Sequence, residues 1–254
     1  MVLINIHLES FDRKSFESIK KLARKGPIAI SFAPIQIPLI KKYQVRYFKN
    51  LFKHKDYVLG QQGLTHECKK CIAYRKKNKV NVGPHHENYC LRFGEVPAKE
   101  QEKFMMQGRR KIKKLFGREP ELYVPPNHLF GKNTVAVVKK LKYKWMTDKA
   151  YFSLGPYISG EVLIVPESKS DIKKSNQIYA HDAGEIKSID KKLISFYDVK
   201  PSKIDKKKIE KNRKLKIVSK IQRDLIKAKG IEEDESQRLA ESIYNLKFAD
   251  SSVY

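Results

Sequence analysis

The sequence predicts an α/β domain organised around a parallel sheet or barrel. Short apolar runs alternate with amphipathic stretches from the N-terminus to about residue 180, and parallel strands need such crossover segments between them. The chain has 254 residues, close to the length that one α/β barrel commonly takes. Apolar residues make up 41% and aromatics 10%, enough for a sizeable core.

Each element follows from its residues. Val2 to His7 is a short apolar strand. Asp12 or Ser15 can cap the next segment, a helix whose Phe16, Ile19, Leu22 and Ala23 fall at helical spacing and which Gly26-Pro27 ends. Ile28 to Phe32 is the second strand, turned by Pro34. An amphipathic stretch from Pro38 to about Lys53 presents Tyr43, Tyr47, Phe48 and Leu51 as its expected buried stripe. Tyr57 to Leu59 opens a third strand that runs out through Gln61-Gln62-Gly63-Leu64-Thr65-His66. Cys68 to Phe93 breaks the rhythm, being polar, basic and poor in aliphatics. Ala98 to Phe116 is a helix closed by Gly117, and Glu121 to Val124 a strand stopped by Pro125-Pro126. Thr134 to Leu141 (helix), Lys144 to Thr147, Glu161 to Val165 and Gln177 to Ala180 (strands) complete the alternation. Beyond Lys203 the character changes. Lys206 to Lys229 is a lysine-laden helix with an apolar seam, followed after Gly230 by a second helix from Ile231 to Leu246. The expected organisation is a barrel over residues 1–200, with a Cys/His-rich insertion at 67–93, and a basic helical extension over 201–254.

Charge and cysteine usage narrow the function classes. With 54 Lys and Arg against 28 Asp and Glu, the formal charge is +26, a field that attracts polyanions. The lysines are spread along the chain instead of forming one patch. No apolar run approaches the ~20 residues that span a bilayer. The first residues, Met-Val-Leu-Ile-Asn-Ile-His-Leu, carry no basic leader and read as a strand, so a cytoplasmic protein is expected. Three cysteines, all between positions 68 and 90, argue for thiols or metal ligands and against a disulfide framework. Phosphate-binding glycine loops, a nucleophile elbow and kinase-type signatures are all missing.

Two constellations carry chemistry. The first lies at strand ends: His7 and Glu9 after strand one, Gln62 and His66 after strand three, Asn127 and His128 after the Pro-Pro strand, and His181-Asp182 after the last. In parallel α/β folds such positions converge on one mouth. The second is Cys68-x2-Cys71 with His85-His86 and Cys90 behind it. Its spacing suits a structural zinc site in which three thiolates and one imidazole, from His85 or His86, close a tetrahedron. Basic and aromatic residues also interleave at Lys41 to Lys49 and Lys140 to Trp145, a pattern that can stack sugars or bases but that strand and helix spacing explains largely as core.

The stretches Ile4-Asn5-Ile6-His7, Gly60 to His66 and Gly117-Arg118-Glu119-Pro120-Glu121-Leu122-Tyr123-Val124-Pro125-Pro126 resemble the polysaccharide-deacetylase (NodB-like carbohydrate esterase) superfamily, in the branch whose second motif reads His-Gly-Tyr-Thr-His. The resemblance covers about residues 1–185. It implies a distorted (β/α) barrel of about seven strands, a divalent metal such as zinc held by an Asp and two His, and hydrolysis of N-acetyl or O-acetyl groups on carbohydrates, a cleavage of C–N bonds other than peptide in the former case. Carried over by position, His66 matches the second metal histidine and Gln62 stands where the first would be. The acidic residue expected after strand one is replaced by His7-Leu8, with Glu9 the nearest carboxylate. Pro125 and Pro126 match the strand end that lines the substrate groove, with Asn127 and His128 beside it expected to orient substrate, and His181 matches the general-acid histidine. The resemblance thus implies metal ligands among His66, Gln62, His7 and Glu9, with Glu9 as the alternative base and His181 as acid. An inert barrel reused to bind nucleic acid or protein is the alternative from another class.

Overall fold

Parallel strands form the frame. In a computed structural model, which describes residues 3–65, 87–90, 94–149, 157–168 and 177–188 with positions 73, 76, 77, 238 and 240, the strands are β1 (Leu3–Leu8), β2 (Ala29–Phe32), β3 (Val58–Gln62), β6 (Leu122–Val124), β7 (Trp145–Lys149), β9 (Val162–Ser168) and β10 (Gln177–Ala180). They pair in the order β1-β2-β3-β6-β7-β9-β10, and β10 returns to β1 in parallel. Among the described residues the result is a closed seven-stranded parallel barrel, the architecture the sequence predicts. A short ribbon of β4 (Tyr89–Cys90) and β5 (Gly94–Glu95) lies apart, and β8 (Tyr157–Ser159) folds back antiparallel on β9. The turn between β8 and β9 has φ 51° at Gly160 and 67° at Glu161, the left-handed pair that a tight hairpin needs.

Strand periodicity sorts the apolar side chains into three groups. Ile4, Ile6, Ile30, Phe32, Leu59 and Ile178 point outward into one cluster with Phe16, Ile19 and Leu22 of α1 (Arg13–Ala23), Phe48 of α2 (Lys42–Leu51) and Ile112 of α3 (Ala98–Phe116). Tyr123, Met146 and Ile164 point outward into a second, with Met105 of α3 and Val135 and Val138 of α4 (Lys132–Lys140). Ala29, Val58, Leu122, Val124, Trp145 and Val165 fill the lower bore. The next inward positions toward the carboxyl ends are polar and buried: Asn5, His7, Ser31, Gln62, Thr147 and Glu167. A greasy floor beneath a polar upper layer is what positions the site.

The helices obey their sequence signals. Asp12 caps α1, accepting the Ser15 N–H at 2.8 Å, and Gly117 ends α3 with φ 78°. A short helix, α5 (Ala183–Ser188), follows β10. Three expectations need correction. His7 does not follow strand one but lies inside it, because the strand runs one residue further, to Leu8. The last long strand likewise extends past Val165 to Ser168. Tyr43 is half-exposed instead of buried, because Gln44 takes the inward position on α2: its amide donates to Phe11 O (2.9 Å) and its oxygen accepts the Lys41 N–H (2.9 Å). Both helices expected beyond Lys203, and the 201–254 extension, lie outside the described residues, which there comprise only 238 and 240.

Candidate functional site

Strand alternation builds the site. Asn5 and His7 are two residues apart on β1, so both face the bore, and Ser31 on β2 stands in register with His7. The Ser31 hydroxyl donates to Asn5 Oδ1 at 3.0 Å. That leaves Asn5 Nδ2 turned inward, 3.1 Å from His7 Nε2 and donating to Glu167 Oε2 at 3.0 Å. Glu167 reaches the same point from β9, with Oε1 2.8 Å from His7 Nε2 and 3.6 Å from His128 Nδ1. All three residues are buried, and one donor atom from each lies within 4.8 Å of the others.

His128 arrives on a strained turn. After β6, Pro125 and Pro126 stop the strand, and a single 3-10 turn (Pro126–His128) carries Asn127 at φ 54° and His128 at φ 55°. Two consecutive non-glycine residues in the left-handed region are costly and mark a loop held by its surroundings. One support is Gly63, also left-handed (φ 52°), where a Cβ would come within 2.6 Å of Pro126 Cγ and 2.7 Å of the Glu87 carboxylate. The buried Glu87 in turn accepts the N–H groups of Leu64 (2.8 Å) and Thr65 (2.9 Å). The loops after β3 and β6 are thereby packed together at the rim.

The open side of the cluster is lined from β10 and β1. Tyr179 stacks on His7, with centroids 4.9 Å apart and planes 12° off parallel, and contacts His128 and His181 at 5.3 and 5.2 Å. Burial pushes its phenol far above the ordinary range, and the carboxylates of Glu167, Glu185 and Glu9 add to the effect, so the hydroxyl keeps its proton. His181 follows β10. Its Nδ1 and its backbone N–H both meet Glu185 Oε2, at 3.0 and 2.9 Å, and its Nε2 lies 4.0 Å from Glu9 Oε1. Glu9 also accepts from Gln62 Nε2 at 3.2 Å.

Among the sequence-predicted site residues, the structure therefore brings His7, Glu9, Gln62, Pro126, Asn127, His128 and His181 to one end of the barrel. His66, Cys68, Cys71, His85 and His86 lie outside the described residues, and for Cys90 only the backbone, in β4, is described. Sequence reasoning missed Glu167, Asn5, Ser31, Tyr179, Glu185 and Glu87. For Glu167 a signal existed: Leu163, Val165 and Glu167 share one face of a strand, but Pro166 reads as a strand end. Asn5 was equally legible as the inward residue two before His7.

The donor set suits a divalent metal. His7 Nε2 lies 3.1 Å from Asn5 Nδ2, which also donates to Glu167 Oε2 at 3.0 Å. A ring nitrogen and a carboxylate oxygen 2.8 Å apart share either the ring's own N–H or a cation. Two imidazoles and a carboxylate are a familiar open zinc set, whose donors stand roughly 3.3 Å apart around a tetrahedral ion.

No family model and no curated protein matches the chain. Similar solved structures include a CE4 family pseudoenzyme from Bacillus anthracis, 10% identical over 74% of this chain and 57% of that one, with a TM-score of 0.47. A family 4 carbohydrate esterase from Streptomyces lividans, in complex with acetate, is 11% identical over 74% of this chain and 82% of that one, TM-score 0.44. A 4-alpha-glucanotransferase from Thermococcus litoralis is 11% identical over 65% of this chain and 28% of that one, TM-score 0.44. The chain thus spans about half the length of the pseudoenzyme and less of the glucanotransferase. A fold hosts many chemistries, so function has to be read from the site.

Proposed function

We propose that the protein is a metal-dependent hydrolase that removes an acyl group from a glycan-like N-acetyl or O-acetyl substrate. The observation that carries the proposal is the buried convergence of His7, His128 and Glu167 at the carboxyl end of a parallel barrel. In this reading those three would hold the metal, with Gln62 at the end of β3 and His66, four residues on, as further donors. A divalent ion held by them would supply Lewis acidity toward the acyl carbonyl and toward a water. Asn5 and Ser31 fix the Glu167 carboxylate and the His7 ring. Glu9, beside Gln62, takes the proton from the attacking water, and His181 delivers one to the leaving group while Glu185 holds its Nδ1. Tyr179, protonated, walls the cluster, and Pro126 and Asn127 line the groove. His128, expected from the sequence to orient substrate, takes a ligand role instead. Cys68, Cys71, His86 and Cys90 form a second, structural zinc site.

Elemental analysis and acetate release test this together. The purified chain is expected to hold two equivalents of metal. Glu167→Gln and His7→Ala should each lose one of them, and with it all acetate release from a panel of N-acetyl and O-acetyl sugars. Cys68→Ser should lose the other. Unchanged metal content in Glu167→Gln, or no acetate from metal-loaded protein on any sugar, sinks the hydrolase. The formal charge of +26 supports a second reading, an inert barrel that binds nucleic acid or protein. It requires RNA or DNA affinity that falls steeply with salt.

A further inference from the structure

We infer that the rim between β2 and α2 docks the barrel on an anionic lipid surface, with Ile35, Leu39 and Tyr43 entering the interface and Lys41, Lys42 and Arg46 meeting the headgroups. This rests on surface features alone and stands apart from the hydrolase reading. Among the described residues the large apolar side chains left in water are Ile35 (52% exposed), Leu39 (64%) and Tyr43 (50%). All three fall between positions 35 and 43, and Pro38 between them is exposed as well. Scattered apolar residues on a surface need no explanation, but a concentrated group does.

The stripe is held in place. Pro34–Leu39 forms a 3-10 helix that follows β2, so it stands at the carboxyl end of the strands, beside the mouth. Ile35 N donates to Leu64 O at 3.0 Å, tying the segment to the loop after β3. Gln44 anchors the start of α2 through Lys41 N and Phe11 O. The apolar side chains are thus presented outward by a braced backbone.

The charges beside the stripe are not explained by the fold. No Asp or Glu occurs from residue 28 to residue 55. Lys41 is the N-cap of α2, Lys42 opens the helix, and no acidic residue lies in its first turn, although cations there oppose the helix dipole. Lys41, Lys42 and Arg46 are all exposed. An anionic partner offsets that cost. Nucleic acid would engage the cations but leave Ile35 and Leu39 in water, whereas an anionic bilayer takes both the aliphatic tips and the charges. No helix among the described residues is long and apolar enough to cross a membrane, so the contact is peripheral. It would turn the barrel mouth toward the headgroups, where an acylated amphiphile presents its polar end.

Vesicle flotation tests the surface with the full chain. Phosphatidylcholine vesicles should bind weakly, and vesicles containing phosphatidylserine should bind at least tenfold more tightly, less so as salt rises. Ile35→Ser with Leu39→Ser should weaken that binding by about tenfold or more, and Lys41→Glu with Lys42→Glu by a similar factor. In Leu39→Trp, added brominated phosphatidylserine vesicles should quench and blue-shift the new emission above the Trp145 background. The side chains are exposed, so unchanged thermal midpoints in all variants will show that folding is intact. Equal binding by wild type and Ile35→Ser/Leu39→Ser overturns the inference and leaves binding to diffuse charge. So does an unquenched signal from the indole introduced at position 39, in protein that floats. Failure to float with phosphatidylserine, or binding to RNA that the Lys41/Lys42 variant loses while vesicle binding persists, overturns it too.

Discussion

At the scale of single residues, the most informative feature is that two adjacent side chains pay a backbone penalty to sit where they do. Asn127 and His128 both have left-handed φ. Asn tolerates this region, because its short amide can bond locally, and a β-branched residue does not. Asn127→Gly should therefore leave stability unchanged or slightly raised, whereas Asn127→Val should cost about 1–2 kcal/mol. Urea unfolding of the two variants checks this, and equal midpoints would mean the turn is not held in that conformation. Because the turn aims His128 at Glu167, Asn127→Val should also lower metal content. Legibility at this scale was uneven. Histidines stand out in a sequence, so His7, His128 and His181 could be nominated from strand ends alone. Glu167 is one carboxylate among 28 acidic residues, and the proline before it hides its membership of β9. His66, nominated from the same strand ends and from the resemblance, lies outside the described residues, so its role belongs to the proposal.

At the scale of elements, close approach outweighs intrinsic propensity. α3 crosses the barrel with Gln101, Met105, Gly108, Ile112 and Phe116 facing inward, a spacing visible in the sequence. Gly108 lies in the interior of that helix, where alanine is ordinarily favoured by nearly 1 kcal/mol. A Cβ there would overlap Gln61 Nε2 and lie 2.9 Å from Gln61 Cδ and 3.0 Å from Pro34 Cγ. Gln61 has little room to yield. Its Nε2 donates to Gly63 O (3.0 Å) and Met105 O (3.2 Å), and its oxygen accepts from the Tyr143 hydroxyl (2.7 Å). Gly108→Ala is accordingly expected to destabilise by about 1–3 kcal/mol despite the better helix former. A raised urea midpoint would contradict that. The helices and strands themselves were legible because each carries its own period and punctuation. Their errors, at Tyr43 and at the end of β9, arose where a hydrogen-bonded glutamine replaced an aromatic in the core or a proline interrupted a strand that nonetheless continued.

At the scale of the whole molecule, alternation in the sequence implies parallel strands but cannot say whether they close. Closure rests on pairings remote in sequence, such as Leu3 with Gln177 and Asn5 with Tyr179, and on a short seam where Gln177 and Ile178 meet Glu167 and Ser168. At the opposite end of the barrel, ion pairs bind the loops. Arg118 donates to the carbonyl groups of Phe52 (3.0 Å) and Tyr57 (3.2 Å) and pairs with Glu121, which also meets Lys144 at 2.6 Å. Burial raises the Glu121 carboxyl, but the hydrogen bonds from Lys144 and Arg118 outweigh it and leave it lowered. Glu119 is lowered by hydrogen bonds from Arg109 and Lys113. Asp12, bonded by the Ser10 hydroxyl and the Ser15 N–H, is lowered to about 2. A carboxylate lowered in the folded state stabilises it fully above its unfolded pKa, about 4, and loses that contribution as the pH falls through the folded value. Stability should thus be flat near neutral pH and decline from about pH 4 downward, as protonation also adds to a charge that is already +26. Glu121→Gln should cost about 1–2 kcal/mol at pH 7 and nothing once the wild-type carboxylate is itself protonated. Thermal midpoints of both proteins from pH 7 to 2 read this directly. A difference that persists unchanged at the acid end would show that the loops are held by shape and hydrogen bonding alone, with the charge on Glu121 contributing nothing.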